Sequence, residues 1–143
     1  MKKIVLFFSI LFSVFSTAQV FVIDDGVSIN SCTGLFVDSG GETGSYLGNE
    51  SLTYTICPEN PGQLVQLDFS AFATQPGADI IAIYDSDDVL DPTTYFGEFS
   101  GQMAADSPGF VSATQANTSG CLTIVFTSNG GVNYAGWVAD ISC

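Results

Sequence analysis

The amino-acid sequence predicts an all-β fold: an antiparallel jelly-roll β-sandwich of two sheets, with essentially no helix. Apolar and polar residues alternate in several short stretches, which turns one face of each stretch to a core and the other to water. Turn signals rich in glycine, proline, asparagine and aspartate separate these stretches. An apolar period of about 3.6 residues nowhere persists over about ten residues, so no helix is expected.

The first residues predict a secretory signal peptide that covers residues 1–18. Lys2 and Lys3 precede an apolar run, and small residues follow the run up to Ala18. The run is shorter than the roughly 20 residues that span a bilayer, so a transmembrane anchor is the weaker alternative. Cleavage after Ala18 would make Gln19 the N-terminus of a secreted or cell-surface protein.

The mature chain begins with residues 19–31, which we interpret as an N-terminal lead or an edge strand, followed by a domain over residues 32–143. Residues 38–44 form a glycine-rich loop that no helix follows, so we interpret it as a turn that needs positive φ and not as a phosphate-binding loop. Short strand patterns recur through the domain, at residues 32–37, 53–57, 64–73, 80–84, 95–100 and 110–114.

The central stretch, residues 64–84, holds two strand signals and the turn that joins them. Its first half alternates, whereas residues 80–84 are apolar on both faces, as in a strand covered on both sides. Between them Pro76 presets φ and Gly77 accepts a positive φ, so the chain can reverse. Asp79 lies at the mouth of this turn.

Residues 121–143 predict a terminal hairpin. Two alternating stretches flank a Ser-Asn-Gly-Gly turn at residues 128–131. The hairpin would point Trp137 into the core beside three apolar side chains, namely Leu122, Ile124 and Phe126.

The four cysteines of a secreted chain predict two disulfides. Three pairings are open, and we favour Cys32 with Cys57 and Cys121 with Cys143, because each bridge would close one hairpin-sized segment and leave the central stretch uncrossed. Metal binding by the cysteines is the weaker alternative, since the sequence contains no CxxC pair.

The charge of the chain excludes several functions. Loss of the signal peptide leaves 15 acidic residues and no lysine, arginine or histidine. Nucleic-acid binding lacks its cations, and an anionic membrane surface would repel the chain. Nucleophilic catalysis by a Ser-His-Asp or Cys-His pair lacks its base, and zinc lacks imidazole ligands. Carboxylate chemistry remains: binding of hard cations or of basic groups on a partner.

The most acidic run, residues 85–91, has two interpretations, a solvated loop or a cation-binding loop. An EF-hand is not predicted, because its glycine and its bidentate glutamate are missing. The run also contains the candidates for a carboxylate-based glycoside hydrolase: Asp85, Asp87 and Asp88, together with Glu98. Loops rarely supply the burial that would tune such acids, so hydrolysis is the weaker function.

Several stretches together resemble a CUB domain, of the type found in secreted and surface proteins of Bacteroidetes. The resemblance covers about residues 32–143, and the matching stretches are residues 38–41, 54–58, 67–72, 79–85, 96–101, 126–131 and 135–139. It implies a jelly-roll sandwich of two antiparallel sheets and the same cysteine pairing. It also implies an extracellular interaction module and not an enzyme.

The resemblance further implies a calcium site at a loop-rich end of the domain. The family's tyrosine and aspartate ligands match Tyr46 and Asp79, while two positions of family acids are occupied by Gln75 and Asn129. A site with one carboxylate would bind calcium weakly, because affinity falls with ligand charge. The alternative for Asp79 and Asn129 is turn capping through hydrogen bonds to the backbone.

The function that these features favour is a binding module that recognises a protein or glycan partner, presenting basic groups, through its loops. No nucleic acid and no membrane insertion after signal cleavage are expected. The two alternatives are the carboxylate hydrolase and a purely structural spacer within a larger surface protein.

Overall fold

The computed structural model of the protein describes residues 18–89 and 92–143. Residues 1–17 of the predicted signal peptide lie outside these ranges, as do Leu90 and Asp91 of the acidic run. In the described part of the chain, no helix has the length and apolar character needed to cross a membrane.

The described part of the chain contains ten strands and two 3₁₀ helices. The strands are β1 (Val20–Val22), β2 (Val27–Asn30), β3 (Leu35–Val37), β4 (Ser51–Cys57), β5 (Gln66–Ala73), β6 (Ile80–Tyr84), β7 (Tyr95–Phe99), β8 (Phe110–Ser112), β9 (Leu122–Thr127) and β10 (Gly136–Ser142). The 3₁₀ helices are Pro92–Thr94 and Ala104–Asp106.

The strands form two five-stranded sheets, with the orders β1-β3-β10-β5-β8 and β2-β4-β9-β6-β7. The predicted β-sandwich of two sheets is confirmed. Most neighbouring strands are antiparallel, but β1 pairs with β3 and β2 pairs with β4 in parallel. The N-terminal lead therefore supplies one edge strand to each sheet. Its second strand was not predicted, because a four-residue strand offers only Val27 and Ile29 as an alternating signal.

The core lies between the sheets and is built from the inward residues of both. Trp137 is 1% exposed. Its ring lies 5.0 Å from that of Phe126 and 5.8 Å from that of Phe36, measured between centroids. The prediction that Trp137 faces inward beside Phe126 is confirmed, and the ring joins the two sheets.

The predicted terminal hairpin is wrong. β9 pairs with β4 and β6 in one sheet, whereas β10 pairs with β3 and β5 in the other. Phe126 and Trp137 thus meet across the core and not along one sheet. An alternating pattern shows that a strand has one buried face, but it does not decide which sheet the strand joins.

The predicted cysteine pairing is also wrong, although all four cysteines form disulfides. The bridges are Cys32–Cys143 and Cys57–Cys121. Cys32 precedes β3 and Cys143 follows its antiparallel neighbour β10, while Cys57 ends β4 and Cys121 precedes its antiparallel neighbour β9. Antiparallel neighbours bring the end of one strand to the start of the other, so each bridge ties adjacent strands within a sheet.

Candidate functional site

Three loops meet at one end of the sandwich. They are residues 38–50 between β3 and β4, residues 74–79 between β5 and β6, and residues 128–135 between β9 and β10. The alternating strand directions bring all three connections to this end. Residues that are far apart in the sequence can therefore form one site.

Asp79 is the centre of this end and is completely buried. Its Oδ2 accepts a hydrogen bond of 2.6 Å from the Tyr46 hydroxyl, and its Oδ1 accepts one of 2.9 Å from the Asn129 backbone N–H. The Tyr46 hydroxyl in turn accepts a hydrogen bond of 3.1 Å from the Gln75 backbone N–H. All four predicted ligand residues thus lie in one hydrogen-bonded group, which we call the Asp79 cluster.

Tyr46 anchors the cluster to the core. Its ring packs edge-on against Phe126, with the centroids 5.1 Å apart. Burial, followed by the hydrogen bond to Asp79, raises the pKa of Tyr46 to about 12. The hydroxyl therefore stays protonated near neutral pH and remains a donor to the carboxylate.

Two amide oxygens of the cluster face one glycine. Asn129 Oδ1 accepts a hydrogen bond of 2.6 Å from the Gly131 N–H. Gln75 Oε1 is buried, and no hydrogen-bond partner for it lies among the described residues. A Cβ on Gly131 would lie 2.6 Å from the first oxygen and 3.3 Å from the second. Glycine at this position therefore keeps open the space beside both acceptors.

The cluster fits a weak calcium site and not a strong one. Calcium takes about 6 to 8 oxygen ligands, and an unpaired buried oxygen such as Gln75 Oε1 is suited to a cation. The cluster supplies only one carboxylate, however, and no group of three or more His, Cys, Asp or Glu residues in the described ranges could hold a metal. The turn-capping alternative also fits, since Asp79 and Asn129 both accept backbone N–H groups.

Asp38 is a buried carboxylate that the sequence analysis did not single out. Its Oδ1 accepts the Gly40 N–H at 2.7 Å and its Oδ2 accepts the Trp137 N–H at 2.9 Å, so it links β10 to the first loop. Desolvation by burial raises the pKa of Asp38 to about 6. A Cβ at Gly136, which has φ 71°, would collide with this carboxylate. Asp38 is the first residue of the predicted glycine-rich turn at residues 38–44, and that position was the available sequence signal.

The Ser128 hydroxyl joins the third loop to the first, and the Ser39 hydroxyl braces the first loop internally. Ser39 Oγ donates to Glu50 Oε2 at 2.8 Å and accepts the Leu47 N–H at 3.0 Å. Ser128 Oγ donates to the Leu47 carbonyl at 2.8 Å and accepts the Glu50 N–H at 3.0 Å. These bonds hold the backbone of Leu47 while its side chain stays 61% exposed.

The described part of the acidic run, residues 85–89, does not join the Asp79 cluster. It follows β6, at the opposite end of the sandwich from Asp79. Asp87 and Asp88 are exposed, as a solvated loop requires, whereas Asp85 is half-buried. Asp85 Oδ1 accepts hydrogen bonds from the Thr114 N–H and the Asn117 Nδ2, at 3.0 and 2.9 Å.

The fold is that of CUB domains. The sequence matches no protein-family model, and a search of curated proteins gives no match. The CUB1-EGF-CUB2 region of human MASP-1/3 is similar in structure, with a TM-score of 0.64, 22% identity, and coverage of 84% of this chain and 42% of that one. The MASP-1 CUB2 domain bound to Ca²⁺ has a TM-score of 0.62 and 22% identity, with 83% and 99% covered.

A further similar structure is the full extracellular region of zebrafish Gpr126/Adgrg6. The TM-score is 0.64 and the identity 17%, over 83% of this chain and 14% of that one. This chain thus spans less than half of the two longer structures, and it spans nearly all of the isolated CUB2 domain. At these identities the likeness shows the fold, a CUB-like β-sandwich.

Proposed function

We propose that this chain is an extracellular interaction module that binds its partner through the three loops around the Asp79 cluster. The convergence of these loops on a buried, hydrogen-bonded carboxylate is the observation that carries the proposal. Binding residues concentrate in loops that a rigid scaffold positions, and a disulfide-linked sandwich is such a scaffold. The CUB-like fold, found in the extracellular region of Gpr126/Adgrg6, supports the same function.

The partner is proposed to present basic groups. The mature chain would carry 15 acidic residues and no basic side chain, so a cationic surface is its natural complement. Two exposed apolar side chains, Leu47 at 61% and Val132 at 59%, lie in the first and third loops. The aliphatic part of a lysine or arginine can pack on such side chains while its charge meets the exposed Glu42.

A weak calcium site belongs to the same proposal. Asp79, Gln75 Oε1 and Asn129 Oδ1 would hold the ion, with the Tyr46 hydroxyl beside them. Bound calcium would tie the second loop to the third and offset part of the negative charge. The Ca²⁺ bound to the MASP-1 CUB2 domain supports this assignment. With one carboxylate, we expect a dissociation constant on the order of 10⁻⁴ to 10⁻³ M.

Titration of the isotope-labelled mature chain with a short lysine-containing peptide tests the docking surface. In calcium-containing buffer at physiological salt, saturable amide shifts should appear in residues 38–50 and 128–135. The double variant Leu47→Ser, Val132→Ser should weaken binding, whereas the matched control Met103→Ser, another exposed apolar residue at 69%, should not. Shifts spread over the whole acidic surface, or no shifts at all, would contradict the proposed docking surface and favour a purely structural spacer.

A further inference from the structure

A cavity lies away from the Asp79 cluster, at the opposite end of β6. Its volume is about 500 Å³. The residues that line it include Asp85, Thr94, Tyr95, Phe96, Thr114 and Asn117. Ligand pockets of roughly 300 to 1,000 Å³ with aromatic walls and a few placed polar groups are typical of small-molecule sites.

A β-bulge places two consecutive aromatic residues, Tyr95 and Phe96, beside this cavity. In the pairing of β6 with β7, Ile83 lies opposite Gly97 and Tyr84 lies opposite Tyr95, so Phe96 has no partner on β6. Consecutive residues of a regular strand point to opposite faces, but a bulge breaks that alternation and re-aims a side chain. Tyr95 and Phe96 accordingly both line the cavity, and they are 39% and 42% exposed.

Asp85 is held in place at the polar side of the cavity. Its Oδ1 accepts both hydrogen bonds made to this carboxylate, from Thr114 and Asn117. Asn117 is itself fixed, since its Nδ2 also donates to the Cys121 carbonyl and its Oδ1 accepts the Ser119 N–H. No hydrogen bond within the described residues reaches Asp85 Oδ2. The second oxygen is therefore an oriented acceptor with free capacity.

We propose that this cavity binds a neutral saccharide. The exposed aromatic rings would pack against the apolar C–H face of a sugar ring, and Asp85 Oδ2 would accept hydrogen bonds from its hydroxyl groups. Anionic sugars are disfavoured, because the cavity contains a carboxylate and the mature chain has no cationic side chain. Glycoside hydrolysis uses a pair of carboxyl groups, and among the described residues that line the cavity Asp85 is the only acid, so binding is the activity that these residues support.

The test is an NMR titration of the disulfide-bonded mature chain with neutral oligosaccharides: cello-, manno-, xylo- and chito-oligomers. Sialyllactose and tri-galacturonate serve as anionic controls. We expect saturable shifts of the Thr114 amide and the Asn117 side-chain amide with at least one neutral oligomer. Phe96→Ala should weaken that binding on the order of tenfold. The matched control Phe110→Ala, an aromatic residue exposed by 62% elsewhere, should leave it unchanged.

A separate pair of variants tests the role of the Asp85 carboxylate. Asp85→Asn should weaken binding by about tenfold, because an amide accepts fewer hydrogen bonds than a carboxylate. Asp87→Asn removes an exposed acid from the same loop and should have no effect. The proposal is overturned if no neutral oligomer produces saturable shifts, if only the anionic sugars bind, or if Phe96→Ala binds as wild type. None of these results bears on the Asp79 cluster, so the two proposals fail independently.

Discussion

Asp38 is the residue whose burial has the clearest consequence for stability. Burial raises its pKa from 3.8 to about 6, so the folded chain binds a proton more tightly than the unfolded chain does. The free energy of unfolding should therefore rise as the pH falls from about 7 through 6 toward 4. The shift corresponds to at most about 3 kcal/mol.

The variant Asp38→Asn should flatten this pH dependence, as measured by urea denaturation between pH 4 and 7. The readout is the slope of the unfolding free energy against pH and not its absolute value. An amide cannot accept both N–H groups, so the variant will be less stable in absolute terms. Asp87→Asn controls for the general relief of repulsion among acids. An unchanged slope in Asp38→Asn would show that the carboxylate is not the titrating group.

The four residues of the Asp79 cluster could be predicted from the sequence, whereas Asp38 could not. The four residues were identified by matching them to the ligand positions of a known family, and that match relates residues that are distant in the chain. A single acid at the start of a glycine-rich turn has the same sequence pattern whether solvent or a distant strand covers it. Asp38 accepts a hydrogen bond from the backbone N–H of Trp137, which lies 99 residues further along the chain.

At the scale of the strands, the sequence predicted where strands lie better than which strands pair. Alternation located β4, β5, β9 and β10, because a half-buried strand must have one apolar face. Assignment of β9 and β10 to a hairpin failed, since a connection of eight residues at 128–135 can cross between sheets as readily as it can turn within one. The wrong cysteine pairing follows from the same error.

Two acids face each other across the pairing of β5 and β10. Asp68 lies directly opposite Asp140, and both side chains are exposed. Like charges in this position destabilise a sheet, and threonine is a favourable strand residue. Asp68→Thr should therefore raise the free energy of unfolding by about 0.2 to 1 kcal/mol. Asp87→Thr, the same exchange in a loop, should give a smaller change, and equal effects would point to net charge alone.

The two disulfides close long segments of chain, with sequence separations of 111 and 64 residues. Loop-closure entropy predicts that each bridge stabilises the fold by about 4 to 5 kcal/mol in this model-dependent account. Non-reducing peptide mapping should recover Cys32 linked to Cys143 and Cys57 linked to Cys121. Recovery of Cys32 linked to Cys57 would contradict both bridges of the structure.

For the whole molecule, the sandwich separates two candidate binding regions. The Asp79 cluster is buried and tied to the core through Tyr46, whereas the cavity beside Asp85 is open and lined by exposed aromatic rings. The described residues include no lysine, arginine or histidine, so both regions lie in a predominantly negative surface. The two ends should therefore differ in what they bind: cations and basic groups at the first, neutral polar ligands at the second.

The most direct test of whether the Asp79 cluster binds calcium is the melting temperature of the chain without its predicted signal peptide. It is measured in calcium and in magnesium at matched ionic strength. An ion that binds only the folded chain raises the melting temperature, and Gln75→Met removes a proposed ligand oxygen that has no hydrogen-bond partner in the described residues. Calcium should selectively stabilise wild type and Asp87→Asn but not Gln75→Met. Equal stabilisation of all three proteins by both ions would contradict the account.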